Sequence, residues 1–288
     1  MYLSLNKYLR SVFGQRVQKI PLDAGLGCPN RDGIKGRAGC IYCDSKGSGT
    51  GAYRRGIGIK AQMEGGMKRA GICYNTRKFI AYFQSFSNTY ADHQTLERLY
   101  TEALVGPEVV GLSMGTRPDC VDEEILGLIS RVAKDRMVWM EYGLQSASDA
   151  TLLKINRGHS VSNFVEAVSL TRRFGFLICA HVIFGLPGED RAAMEDTVRF
   201  LADLKVDGVK FHQLYVVRDT ALHSLYDSGG IRPMEQEEYA DMAAWAISRL
   251  PKDTVIQRLV GAPPRDRLVA PLWSLDKAET IAQILKRL

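Results

Sequence analysis

Short apolar runs alternate along the chain with longer stretches whose apolar residues recur every three or four positions. The runs Val17–Leu22, Phe79–Phe83, Val109–Ser113, Met137–Leu144, Leu177–Phe184 and Gly208–Val216 are rich in β-branched or aromatic residues, and several are apolar almost throughout. A strand in a parallel sheet covered on both faces has that composition, because neither face meets water. Between the runs, the spacing predicts helices over Gly58–Ala70, Thr95–Val105, Asp122–Lys134, Val161–Phe174 and Ala192–Leu204, with a short extra turn at Asp149–Ile155. Six βα units in series predict an α/β fold, either a β/α barrel or a doubly wound sheet. A helix over Tyr239–Leu250, a seventh strand at Val255–Leu259 and an amphipathic helix over Asp276–Leu288 extend it. No linker or low-complexity tract breaks the rhythm, so a single domain over 1–288 is expected, with a core barrel at about 15–220 and a C-terminal extension at about 221–288.

Composition narrows the class. Hydrophobic residues make up 45% and charged ones 24%, as in ordinary globular chains. No apolar run approaches the roughly 20 residues of a membrane span. The opening MYLSLNKYLRSVFG lacks the apolar core and cleavage site of a signal peptide. Six cysteines, two of them in a CxxC, do not make a disulfide framework in a chain this long, so a reducing cytoplasmic setting is expected. Charge is unevenly placed. Between Arg31 and Lys78 stand eleven Lys/Arg (Lys46 among them) against three acidic residues, a local excess of +8 where the whole chain carries +6. That stretch is either a solvated surface or a landing strip for an anionic partner, nucleic acid first.

The densest chemistry lies in the loop AGLGCPNRDGIKGRAGCIYC, which holds Cys28, Cys40 and Cys43. Closed zinc sites and electron-transfer clusters usually take four protein ligands, and three thiolates leave one position empty. The cysteines alone leave two readings: an iron–sulfur cluster with an open iron, or a zinc loop completed by a distant His or Asp. Strand ends add to the picture, since barrel sites are built at the C-terminal ends of strands. The second strand ends in YFQSFSNTY, the third in SMGTRPD, the fourth in MEYGLQS with INRGHS following, the fifth in HVIFGLPGE and the sixth in KFHQLYVV. Polar, small and turn-forming residues thus gather at one rim.

With these motifs the chain resembles the radical S-adenosylmethionine (SAM) superfamily over nearly its whole length. Within it, the order and spacing are similar to the branch of the elongator catalytic subunit and oxygen-independent coproporphyrinogen oxidase. The short bacterial YhcC-type proteins share NKYLRSVFGQRVQKIPLDAGLGCPNRDG, YFQSFSNTY, GTRPDC and LVAPLWSLDKAE. The first cysteine gap is longer than the superfamily's commonest CxxxCxxC, as is usual in this branch. The resemblance implies a partial (β/α)6 TIM-like barrel with a C-terminal extension. It implies a 4Fe-4S cluster on Cys28, Cys40 and Cys43, and SAM bound to the open iron and cleaved to methionine and a 5′-deoxyadenosyl radical. It places Tyr42 near the adenine, the backbone of Gln84, Ser85 and Phe86 at the SAM amino group, Gln145 and His181 at the ribose, Arg157 at the carboxylate, and Leu214 to Val216 along the adenine edge.

Other residues keep two readings each. His181 and His212 are satisfied core histidines or ligands. Glu141, a carboxylate inside an apolar strand, needs a partner and is structural or close to SAM. Arg117 and Asp119 bind substrate or pair with each other. Cys73, Cys120 and Cys179 lack a CxxC and read as buried structural thiols. For the substrate, the basic stretch and the resemblance point to tRNA: some YhcC-type members are linked to remodelling of a carboxymethylaminomethyl wobble-uridine side chain, the MnmL step. The alternatives are a small acidic metabolite or a peptide and, last, a non-catalytic iron–sulfur or zinc protein. An electron donor such as flavodoxin or ferredoxin is expected, and neither DNA nor a membrane.

Overall fold

The computed structural model describes residues 2–45, 47 and 49–288, so Lys46 of the basic stretch lies outside the described residues. The chain opens with two elements that the periodicity does not announce, β1 (Leu3–Ser4) and α1 (Leu5–Phe13). The βα series follows: β2 (Val17–Leu22), α2 (Ile59–Tyr74), β3 (Lys78–Phe83), α3 (His93–Ala103), β4 (Val109–Thr116), α4 (Glu123–Ala133), β5 (Met137–Gln145), α5 (Asp149–Lys154), α6 (Val161–Arg173), β6 (Leu177–Phe184), α7 (Arg191–Asp203) and β7 (Gly208–Gln213). Last come β8 (Val216–Val217), α8 (Ala221–Asp227), α9 (Gln236–Arg249), β9 (Val255–Arg258), β10 (Leu268–Ala270) and α10 (Lys277–Lys286). Acidic side chains start several of the helices: Asp92, Asp122 and Asp190 each accept a hydrogen bond from the backbone N–H three residues on, at 2.8–2.9 Å. Such caps satisfy donors that the first turn leaves open, each stabilising by about 1 kcal/mol.

Eight strands form one parallel sheet in the order β1-β9-β7-β6-β5-β4-β3-β2. The sheet curls into an open α/β barrel of the partial TIM type, with β2 to β7 as its six expected middle strands. Its edges, β1 and β2, are not bonded to each other, and α1 packs against β1, β2 and β9. Ser4 caps α1 and Gly14, at φ 71°, ends it. The run read as one strand over Gly208–Val216 is two: β7 stops at Gln213, and Val216–Val217 swings away to pair antiparallel with β10.

Side chains at alternate positions of each strand face the barrel interior, so the strands stack them in layers. The lowest layer is apolar: Val17, Ile80, Trp139, Cys179 and Val255, sealed by Leu5, Tyr8 and Leu9 of α1. Tyr8 meets Trp139 edge-on, centroids 5.9 Å apart. Two residues further along the strands come Lys19, Tyr82, Ser113, Glu141, His181, Lys210 and Gln257. Above them stand Gly115 and Gly143, whose missing side chains leave room at the rim.

Candidate active site

The cysteine loop (23–58) leaves β2 at the rim and is tied down there from three sides. Ile41 N–H donates to the Ile155 carbonyl at 3.1 Å, Leu222 N–H donates to the Ile41 carbonyl at 2.9 Å, and Asn156 Nδ2 donates to the Gly39 carbonyl at 2.6 Å. Ile41 and Tyr42 pack against an apolar cluster of Leu152, Ile155, Leu186, Leu214, Val216 and Leu222. The residues between Cys40 and Cys43 are therefore the loop's anchor. The Cys28, Cys40 and Cys43 side chains line one cavity of about 440 Å³, within the usual size of small-molecule sites.

Arg157 reaches the cavity because α5 ends in a Schellman turn. Asn156 takes the left-handed conformation (φ 51°), and Arg157 N–H bonds back to the Leu152 carbonyl at 2.9 Å. The guanidinium, largely buried, donates to the Gly143 carbonyl (Nη2, 2.8 Å) and to Cys40 Sγ (Nη1, 3.5 Å). A Cβ on Gly143 would lie 2.5 Å from Arg157 Nη2, so a side chain there would displace the guanidinium from its place. Burial opposes ionisation of Cys40, but Arg157 overrides it and holds the thiol below its ordinary range. Cys43, with less help, is pushed up to about 11 by burial. Arg117 grips Asp119 with two bonds, at 2.8 and 2.9 Å, and donates to the Arg157 carbonyl at 2.7 Å. The two residues thus pair with each other, and Arg117 also lines the cavity.

Of the residues expected at SAM, the cavity wall includes Tyr42, Gln84, Phe86, Gln145, Arg157, His181 and Leu214, together with the three cysteines. Ser85 and Val216 are buried behind the wall. Phe86 and Gln145 hold positive φ angles, 57° and 74°, strain of a kind that persists where function fixes the backbone. His159, which the sequence reading passed over within INRGHS, is buried with Nε2 3.0 Å from the Gly143 carbonyl. Burial, then Arg157 and Arg117, lower it to about 3. Its signal was its place two residues after Arg157.

Beneath the cysteines lies the ionic layer. Glu141 is fully buried and accepts from Lys19 Nζ (2.5 Å), Ser113 Oγ (2.5 Å), Lys210 Nζ and the His181 ring (2.9 Å). Burial would raise its carboxyl, but Lys19 and Lys210 reverse that and hold it well below the usual range. Burial also lowers Lys19, to about 8, and His181, to about 4. Cys73 is exposed, unlike Cys120 and Cys179, which corrects its reading as a buried thiol.

Zinc and an iron–sulfur cluster place different demands on the donor set of the cysteine loop. Among the described residues, the only His/Cys/Asp/Glu trio whose ligand atoms lie within 4.8 Å of one another is Glu141, Cys179 and His181. Two ammonium groups on Glu141 repel a metal ion there. Cys28, Cys40 and Cys43 do not meet that condition, so at least two of their sulfurs stand farther apart than the roughly 3.8 Å set by tetrahedral zinc bonds of about 2.3 Å. On the same wall, buried Ser87 Oγ has no hydrogen-bond partner among the described residues, and the glycines leave open volume. Three soft donors on the wall of a roomy, partly unsatisfied cavity fit a multi-iron group and an organic cofactor.

Comparison with known proteins agrees. Residues 25–201 match the family model of the radical SAM superfamily, and 206–288 match the Radical_SAM C-terminal domain. The chain belongs to the radical SAM superfamily and, within it, to the YhcC-type family. It is 36% identical to Protein YhcC of Escherichia coli over 263 residues, spanning 91% of this chain and 84% of that one. It is 27% identical to the tRNA uridine(34) acetyltransferase of Methanocaldococcus jannaschii over 181 residues, 62% of this chain and 33% of the relative. Its fold is similar to the structure of Methanocaldococcus infernus Elp3, with a TM-score of 0.71 at 17% identity, covering 94% of this chain and 63% of that one.

Proposed function

We propose that this radical SAM enzyme holds a 4Fe-4S cluster on Cys28, Cys40 and Cys43, binds SAM beside it, and acts on a wobble-uridine side chain of tRNA. The observation that carries the cofactor assignment is that three cysteines and Arg157 line one cavity. Such a cluster would supply the electron for reductive cleavage of SAM, the chemistry from which hydrogen abstraction on the substrate would start. The chain's own residues orient and enclose. Arg157 offers a guanidinium fork suited to the SAM carboxylate, with Gln84 to Phe86 at its amino group and Gln145 and His181 at its ribose. Tyr42, Leu214 and Val216 supply the apolar side for the adenine. The electron donor is a small reductase protein of the flavodoxin or ferredoxin kind.

The name of the acetyltransferase relative supports tRNA, and so does part of the basic stretch. Arg37, Arg54 and Arg55 are exposed in the cysteine loop at the rim. Lys68 and Arg69, in the second half of α2, and Arg77, just before β3, lie toward the opposite end of the barrel, because α2 runs back against the strands. The +8 excess is thus split between two ends, and only the rim portion can meet a substrate entering the cavity. Two measurements test the proposal. Anaerobic reconstitution should give about four irons and four sulfides per chain, lost in Cys28→Ala, Cys40→Ala and Cys43→Ala and kept in Cys179→Ala. Nucleoside mass spectrometry of tRNA from a deletion strain should show one wobble uridine changed. Zinc without a brown chromophore overturns the cofactor assignment, and an unchanged tRNA profile overturns the substrate.

A further inference from the structure

Three cations face one carboxylate at the base of the cavity. Lys19 and Lys210 share Glu141, and Arg258 stands beside Lys210, its register partner across β7 and β9. Among the described residues no carboxylate lies within 4 Å of Arg258, although it lines the cavity. Its contact is His212, with Nη1 3.4 Å from Nε2. An arginine only donates, so His212 accepts through Nε2 and is neutral with its proton on Nδ1. His212 therefore contributes no negative charge, and His181 beside it is likewise neutral near pH 7. Elsewhere on the wall Arg117 pairs with Asp119 and Asp44 with Arg267, Arg31 is held by the Cys43 and Asp44 carbonyls, and Arg157, held by the Gly143 carbonyl and Cys40, is the cation assigned to the SAM carboxylate. The floor holds an excess of two positive charges, which a low-dielectric setting does not favour without an anion. Gly261 lets the backbone after β9 pack close against His212, since a Cβ there would sit 3.1 Å from His212 Nδ1.

We propose that this floor is a receptor for a carboxylate carried by the substrate, with Arg258 as the residue that grips it and the Lys210–Lys19–Glu141 layer as its electrostatic backing. The guanidinium fork matches a carboxylate with two parallel hydrogen bonds. The receptor lies on β7 and β9 and lines the same cavity as the cysteines and Arg157, so a substrate held there shares the space with SAM. The inference rests on the reading of the cavity as the place where substrate meets SAM, and it adds what the substrate must carry.

The test uses reconstituted enzyme in three forms: the natural chain, Arg258→Gln and Arg258→Lys. The probes are tRNA bearing carboxymethylaminomethyluridine at the wobble position and the same tRNA with that carboxyl methyl-esterified. Esterification should raise the tRNA concentration giving half-maximal 5′-deoxyadenosine release by about 10- to 100-fold, the range for a hydrogen bond to a charged group. Arg258→Gln should be indifferent to the ester and Arg258→Lys should regain part of the preference, while all three bind SAM equally, which also shows that they fold. A preference that persists in Arg258→Gln overturns the proposal. So does a loss of SAM affinity in that variant, because Arg258 would then hold the SAM carboxylate. If the natural chain ignores both tRNAs, the tRNA reading fails and the receptor is judged on N-methylglycine against its methyl ester. A rise in melting temperature with the acid alone, absent in Arg258→Gln, supports the receptor for a small acidic substrate; no difference between acid and ester overturns it.

Discussion

Replacing Glu141 by glutamine tests the ionic layer most directly. The side chain is fully buried, and its four partners are Lys19, Lys210, Ser113 and His181. Glutamine keeps the shape but leaves two ammonium groups without an anion. Removing one partner of a buried ion pair costs about 3–5 kcal/mol, and at roughly 2–4 °C per kcal/mol in a chain of this size the melting point should fall by about 6–20 °C. The loss has a pH signature. The lysines escape by releasing protons, so their folded pKa values drop further below 10.5, where burial already holds Lys19 at about 8. A lowered lysine pKa means that the unfolded chain binds more protons, and stability rises with pH up to the unfolded value. Each unit of pH from 7 upward should return about 1.4 kcal/mol per deprotonated lysine to the variant. Urea unfolding of the iron-free protein at pH 7 and pH 9, followed by circular dichroism and Trp139 fluorescence, measures both effects. A loss below 1 kcal/mol, or one that grows with pH, would refute the reasoning, and adding Lys210→Met to the variant should recover much of the deficit.

Three further outcomes follow from the same geometry. Arg157→Ala should weaken SAM binding by about 1.5–3 kcal/mol in equilibrium dialysis, the worth of hydrogen bonds to a charged group, and unchanged affinity would remove Arg157 from the carboxylate. The iron-free chain should lose stability in mild acid: His159 and His181 sit at about 3 and 4 against 6.5, so the unfolded state takes their protons first and the urea midpoint falls as pH drops below 6.5. If the rim arginines meet RNA phosphates, Arg54→Glu with Arg55→Glu should flatten the salt dependence of tRNA binding by about 0.7 in log–log slope per lost contact, while leaving SAM cleavage without substrate unchanged.

The strands were legible because parallel strands covered on both faces cannot hide: β6 stands where its apolar run begins and ends. The cysteine loop and Arg157 were legible as motifs, since their chemistry depends on residue type and spacing. What escaped depended on distant pairing. β1 has two residues, too few for any period, and exists only because β9, more than 250 positions away, receives it. The amphipathic α1 has a function only once the open edges of the sheet need covering. Arg258 looked like the end of a short strand, and only the β7–β9 register sets it beside Lys210 at the cavity. The basic stretch misled for a related reason: charges close in sequence were carried by α2 to opposite ends of the barrel.

The layers of the barrel also show which residues folding does not require. The lowest layer is filled by Trp139, Cys179 and Val255, and the same strands two positions further on place Glu141, His181 and Gln257. Buried ion pairs are commonly no more stabilising than well-packed apolar residues of similar volume, because desolvation consumes most of the attraction. A second apolar layer would therefore serve the fold at least as well. The polar layer begins where the interior turns from plug to cavity floor, with Glu141, His181 and Tyr82 all on the cavity wall. Its retained charge is thus better explained by what the cavity must hold than by the stability of the barrel. Apolar replacement of the whole layer (Lys19, Glu141 and Lys210 to Met, Leu and Met) should leave the melting point of the iron-free protein equal or higher while abolishing turnover. A cooperative loss of folding in that triple variant would show instead that the layer specifies the barrel itself.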